Sequence, residues 1–215
     1  MKIFANRQDA GRQLAGKLRH LNAKPHTVVL ALPRGGVPVA AEVARELHLP
    51  LDVLVVRKLG APGQPELAMG AIAHVAGQSG AIVMNPEVRA YFEDQPELID
   101  QITKREQQEL RRREQLYRGN RPPLTVKDRT IIVVDDGAAT GATVRAAVQA
   151  LRTLEAKKII VALPVCSTEA ERALRNEADA VVCVEVPDAF YAVGQWYDDF
   201  GQTTDDEVRD LLKVR

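Results

Sequence analysis

The stretch IIVVDDGAATGATVRAA, residues 131–147, decides how this chain is read: four apolar residues, two carboxylates, a loop of small residues and the start of a helix. A short run of Ile and Val with no polar alternation is a strand buried on both faces, as in a parallel sheet. The loop that follows presents backbone N–H groups at a helix N-terminus, where the positive end of the dipole favours a phosphate. Thr140 and Thr143 add hydroxyl donors. Charge repulsion keeps Asp135 and Asp136 from that phosphate, so they are expected to face sugar hydroxyls or a hydrated divalent cation. Two commoner phosphate motifs do not fit. A Walker A loop needs Gly-Lys-Ser or Gly-Lys-Thr, and Gly141-Ala142-Thr143 has no lysine. The spacing over 137–143 also lacks the three glycines of a dinucleotide fingerprint.

Outward from this segment the pattern alternates. Strands are expected at 27–32, 51–56, 130–135, 158–165 and 180–186, with helices at 37–47, 141–154 and 168–177 between them. Such βαβ units join parallel strands through right-handed crossovers. Asn6 can cap a first helix reaching about Leu21. The Gly/Pro-rich residues 59–65 read as a loop, residues 67–75 and 81–84 as a hairpin joined through 76–80, and 96–118 as a long helix with balanced charge. Thr204 to Glu207 fit a capping box for a last helix. The fold class is α/β, a mostly parallel central sheet flanked by helices. One domain is expected over 1–215, with a core at about 23–58 and 124–186, an inserted segment at about 59–123 and a small C-terminal segment at about 187–215.

Composition narrows the function classes. The 215 residues are 46% hydrophobic and 27% charged, enough apolar side chain for one core at roughly 100–200 residues per domain. Lys plus Arg and Asp plus Glu are 29 each, which leaves no excess positive charge to drive nucleic-acid binding. No run of 18 apolar residues occurs and the N-terminal residues lack a signal-peptide pattern, so no membrane partner and a cytoplasmic location are expected. Cys166 and Cys183 lie in apolar runs and read as reduced core thiols.

The segment 131–143 resembles the PRPP-binding motif of the type I phosphoribosyltransferases: apolar strand, two acids, three small residues, Thr-Gly, one residue, Thr. The resemblance implies that Asp135 and Asp136 hold the ribose hydroxyls of phosphoribosyl diphosphate (PRPP). The loop of Gly137, Ala138, Ala139, Thr140, Gly141 and Thr143 would take its 5′-phosphate. LPRGGVP at 32–38 joins the first strand to its helix and matches the family's pyrophosphate loop, placing Arg34, Gly35 and Gly36 on the diphosphate. Arg57 and Lys58, at the base of the Gly/Pro-rich loop, resemble the Arg-Lys pair of adenine phosphoribosyltransferases and are expected to neutralise diphosphate in the transition state.

The C-terminal segment gathers Phe190, Tyr191, Trp196, Tyr197 and Phe200 within eleven residues of a chain that is only 4% aromatic. Residues 186–198 resemble the hood of hypoxanthine-guanine phosphoribosyltransferases, with one extra residue. The likeness implies that Tyr191 stacks on an acceptor base, with Phe190 as a rival, that Ala192 and Trp196 complete the acceptor site, and that Asp198 reaches a magnesium ion. Ala178 falls where that family carries a lysine for a 6-oxo group, which implies poor use of hypoxanthine and guanine.

Over nearly its whole length the chain is similar to a bacterial subfamily of phosphoribosyltransferases sharing LPRGGVPVA, VVRKLGAPG and YAVG. The expected reaction is Mg²⁺-dependent displacement of diphosphate from C1 of PRPP by a planar nitrogenous acceptor. Asp135 or Asp136 would serve as base, with nothing in the sequence choosing between them, and a homo-oligomer is compatible with it. Two other functions stay open. One is a regulator that binds PRPP or a nucleotide without turnover. The other is transfer to a non-base acceptor, or pyrophosphate hydrolysis alone.

Overall fold

The computed structural model describes residues 3–75 and 78–213. In chain order the elements are α1 (Arg7–Lys17), β1 (Thr27–Ala31), α2 (Gly36–Glu46), β2 (Leu51–Ala61), β3 (Gln64–Val75), β4 (Gln78–Met84), α3 (Pro86–Ala90), α4 (Pro96–Arg118), β5 (Thr130–Val134), α5 (Ala142–Thr153), β6 (Lys158–Val165), α6 (Thr168–Arg175), β7 (Ala180–Glu185) and α7 (Asp205–Lys213). The strands form one seven-stranded sheet in the order β4-β3-β2-β1-β5-β6-β7. From β2 to β7 the pairing is parallel, and β3 and β4 extend it antiparallel at one edge. β1 lies between β2 and β5, so the two strand-to-helix loops that follow β1 and β5 are neighbours at the carboxyl end of the sheet. An open parallel sheet binds ligands at such a place, where the order of its strands reverses.

The continuous apolar runs are explained by burial on both faces. Val29 and Ala31 of β1 and Ile132 and Val134 of β5 join Leu14, Val43, Leu110 and Leu212 in one cluster, under α1, α2, α4 and α7. Val28, Leu30, Ile131 and Val133 point the other way, into a cluster with Val144, Leu151 and Leu174 of α5 and α6. α4 is less solvated than its charge balance implied. Leu110 and Tyr117 are buried, and Arg118 donates to both carboxylate oxygens of Asp52, at 2.9 and 3.1 Å, with both side chains buried.

Two local readings change. Residues 59–61 belong to β2 and Gln64 opens β3, so the expected loop shrinks to a Pro62-Gly63 turn. Gly63 has φ +69°, in the left-handed region that glycine enters without the strain of a Cβ. Proline and glycine here mark one tight turn rather than a long mobile segment. The first helix stops at Lys17, and a 3₁₀ turn at Arg19–Leu21 completes the stretch. Cys166 and Cys183 are free thiols, as expected, and sit side by side just past β6 and in β7 with sulfurs 2.7 Å apart. The hairpin at 67–84 is present as β3 and β4, and its Ala76-Gly77 turn lies outside the described residues. Glu207 and Thr204 form the expected capping box, each accepting from the other's backbone N–H at 2.7 and 3.2 Å.

Candidate active site

At the carboxyl end of β5, Asp135 Oδ1 accepts the Asp136 backbone N–H at 2.9 Å. Burial, and then the charge of Asp136, pushes the Asp135 carboxyl well above its ordinary range. Burial also raises Asp136, opposed by the guanidinium of Arg7, whose Nε donates to Asp136 Oδ2 at 2.9 Å. A pair of desolvated carboxylates is unfavourable in a bare core, so the arrangement points to a function.

The loop beyond the acids is shaped for an anion. Gly137 lies where a Cβ would fall 2.6 Å from Val193 Cγ1, so only glycine fits. The Ala138 N–H donates to Val165 O, and Ser167 fixes the other side by donating from its hydroxyl to Ala139 O at 2.6 Å. Gly141 takes φ +70° as the residue before α5. Among the described residues no protein acceptor takes the N–H groups of Ala139, Thr140 or Gly141, and Ala139, Thr140 and Thr143 are exposed. These amides lie where the dipole of α5 is positive.

The loop after β1 packs directly on the acids. A Cβ on Gly35 would stand 2.0 Å from Asp136 Oδ2, and one on Gly36 would stand 2.7 Å from Val134 O and 2.9 Å from Asp135 Cα. The paired glycines are therefore required by this close approach of two loops. The Gly36 N–H is also engaged, donating to Leu32 O at 3.1 Å, so this loop offers fewer open donors than its sequence suggested. Arg34, preceded by a cis peptide bond, extends toward α7, where its Nη1 lies 3.8 Å from Asp205 Oδ1. Asp205 accepts from the Tyr117 hydroxyl at 2.9 Å as well.

Strand alternation separates Arg57 from Lys58, which the sequence had grouped. Arg57 faces α4 and donates from Nε to Glu106 Oε2 at 2.5 Å. Lys58 faces the opposite side and lines a cavity of about 550 Å³ with Ala142, Thr143 and Arg145 at the start of α5. Neighbours in a strand point to opposite faces, yet both residues also line a second cavity of about 430 Å³ beside Gly60 and Pro62.

The C-terminal aromatics also divide. Phe190 and Trp196 stack at 6.3 Å between centroids and pack against the cluster of Phe4, Val165 and Tyr197. Trp196 is thus a packing residue, its Nε1 buried without a partner among the described residues. Tyr191, 88% exposed, is the aromatic that faces outward, with Ala192 exposed beside it. Asp198 is exposed and its N–H donates to Phe4 O at 2.8 Å. Ala178 precedes β7, at the opposite end of the sheet from the acids, packed on the second core cluster. It cannot meet an acceptor at the strand ends, and the expectation drawn from it about hypoxanthine and guanine loses its basis.

Sequence reading missed four residues at the site: Arg7, Ser167, Tyr197 and Asp205. The Tyr197 hydroxyl donates to Asp136 O at 2.5 Å, and Arg7 reaches Asp136 from 129 positions away in the chain. Only Ser167, an N-cap placed just after a strand, carried a local signal.

Comparison with known proteins agrees with this geometry. The model of the phosphoribosyl transferase domain matches residues 2–200, and the chain belongs to that family. A Mycobacterium tuberculosis protein named "putative phosphoribosyl transferase" is 48% identical over 208 residues, covering 97% of this chain and 46% of that protein. The chain thus spans about half the length of the curated relatives it matches. The crystal structure of TT1426 from Thermus thermophilus superposes with TM-score 0.85 at 42% identity, covering 99% of this chain and 98% of the other. The fold is that of the type I phosphoribosyltransferases. Among the described residues no helix is long and apolar enough to cross a membrane.

Proposed function

We propose that this chain transfers the 5-phosphoribosyl group of PRPP to a planar nitrogenous acceptor and releases diphosphate. The observation that carries the reading is the contact of two loops: acids with upward-shifted carboxyls sit between an open amide cradle at α5 and a Gly-Gly turn pressed against them. A ligand with an anionic group at each end and hydroxyls between matches that order of groups.

In this reading the N–H groups of Ala139, Thr140 and Gly141, with the hydroxyls of Thr140 and Thr143, hold the 5′-phosphate, and Gly137 and Ala138 shape the turn. Asp135 and Asp136 accept from the ribose hydroxyls. As the bond from C1 to the diphosphate oxygen breaks, positive charge grows on the ribose, where the carboxylates stabilise it, and negative charge grows on the diphosphate, near Arg34 and Lys58. The acceptor nitrogen then closes a bond to C1 and loses a proton, for which Asp135 or Asp136 is the candidate base. Arg57, tied to Glu106, supports the strand rather than the leaving group. Tyr191 and the exposed Ala192 backbone receive the acceptor.

Among the described residues no three His, Cys, Asp or Glu side chains converge into a metal cage. Magnesium keeps several waters and is carried on phosphates with one or two carboxylates, which Asp135, Asp136 or Asp198 would supply here. Bound so, it would reduce the charge on the departing diphosphate.

A regulator that binds PRPP without turnover has one observation on its side: Asp136 is engaged by Arg7 and Arg34 stands near Asp205. The test is a screen of bases and amides with PRPP and Mg²⁺, read as diphosphate release, beside calorimetric titration with PRPP. Release with some acceptor supports the enzyme. PRPP binding with no release in a broad screen favours the regulator, and absence of PRPP binding removes both.

A further inference from the structure

Arg7 opens α1, and its side chain touches three things at once. Nε donates to Asp136 Oδ2 at 2.9 Å, Nη1 donates to Gly201 O at 2.6 Å, and the guanidinium carbon lies 3.9 Å above the Phe200 ring. Asp136 belongs to the ribose acids, whereas Phe200 and Gly201 close the aromatic segment that carries Tyr191. A second thread runs alongside: the Tyr197 hydroxyl donates to Asp136 O, and Phe4 pairs with Tyr197. The N-terminal residues are themselves stitched to that segment, with Ile3 and Phe4 N–H groups donating to Trp196 O.

A guanidinium is planar and its nitrogens move as one body, so a shift of Nε at Asp136 is also a shift of Nη1 at Gly201 and of the cation over Phe200. A ribose hydroxyl donating to Asp136 Oδ2 would share the acceptor that Arg7 holds and draw the carboxylate away from it. We infer that Arg7 is a positioning residue that couples occupancy of the ribose site to the hood, so that PRPP binding resets the segment that holds Tyr191 for the acceptor. The inference rests on the PRPP reading above.

The protein contains its own reporter, because Trp196 is the only tryptophan in the chain and lies in the coupled segment. PRPP with Mg²⁺ is titrated into the full chain, with occupancy followed by calorimetry and the hood by Trp196 emission. The wild type should show a saturable emission change that tracks the calorimetric isotherm. Arg7→Lys keeps the charge but offers one nitrogen, so at saturating PRPP its emission change should be lost. Phe200→Leu leaves the Arg7–Asp136 pair and the bond to Gly201 O but removes the ring, and it should bind PRPP within a few-fold of wild type with the emission change reduced. Persistence of the full change in either variant overturns the coupling, as does a wild type that binds PRPP with no change in emission. No calorimetric binding by the wild type instead removes the PRPP reading, and the coupling falls with it. Should Arg7→Lys fail to fold, Phe200→Leu decides alone.

Discussion

The loops after β1 and β5 are built to the same plan, strand into glycine-bearing turn into helix, yet they end in different states. In the loop after β5 the amides of 139–141 stay open at a helix N-terminus, and the small residues keep the approach clear. In the loop after β1 the glycines are spent on contact with the first loop, Gly36 N–H is taken by Leu32 O, and Arg34 leans toward α7. The difference teaches that a glycine pair at a strand end reports either an incoming ligand or an incoming backbone. Local sequence does not say which, because both need the absence of a Cβ.

The largest expected effect comes from emptying the open loop. Asp136→Asn with Thr140→Ala removes two charge-assisted hydrogen bonds to PRPP, one to the Asp136 carboxylate and one from the Thr140 hydroxyl to the phosphate, about 4 kcal/mol together, or roughly a thousandfold in affinity. Calorimetry on the double variant measures it, and unchanged binding would break the assignment of this loop to PRPP. Next comes the residue that shares a cavity with Ala142 and Thr143 at the start of α5. Lys58→Ala should lower the turnover rate by about a hundredfold with PRPP affinity within a few-fold, whereas Arg57→Ala should lose stability through Glu106 and largely keep turnover. Equal kinetic losses in both variants would show that the separation by strand alternation has no catalytic meaning.

Stability measurements compare the two loops directly. Gly35→Ala forces a methyl group into Asp136 and should cost about 3 kcal/mol, while Gly141→Ala, whose Cβ would stand 3.4 Å from Ala170 Cβ, bears only its left-handed backbone, about 1 kcal/mol. Denaturant midpoints would settle the order, and a reversed order would mean that the close approach relaxes easily.

The smallest effect is one of pH. Because the folded Asp135 carboxyl is shifted up, its contribution to stability is fully present below the ordinary carboxylate range and is lost as pH rises through the folded value. Asp135→Asn keeps the acceptor for the Asp136 N–H and carries no charge. The variant should therefore melt slightly higher than wild type at about pH 8 and show no gain near about pH 3, below both values. A gain that persists at about pH 3 would trace to packing instead of charge.

Much of this was legible in the sequence because it is local. Apolar runs, caps and turn residues act within a few positions, so the alternation of strands and helices, α4 at Pro96–Arg118 and the strand-acid-acid-loop-helix of 131–143 were readable directly. Where the same local signs admit two structures, reading failed: Pro62-Gly63 looked like a long loop and became a turn within paired strands. Adjacent Arg57 and Lys58 looked like one cluster, and the pleat ties Arg57 to Glu106 while Lys58 also reaches the cavity at the start of α5.

The sequence by itself thus determined the elements, their order and the phosphate-shaped loop, since each depends on residues a few positions apart. Only the tertiary structure decided that Gly35 and Gly36 bear on the acids, that Trp196 packs while Tyr191 stays exposed, that Ala178 lies at the far end of the sheet, and that Arg7 meets Asp136. Those are contacts between distant segments, fixed by the strand order that brings β1 and β5 together and by the pairing of Ile3 and Phe4 with the segment at Trp196. No single stretch of sequence contains both partners.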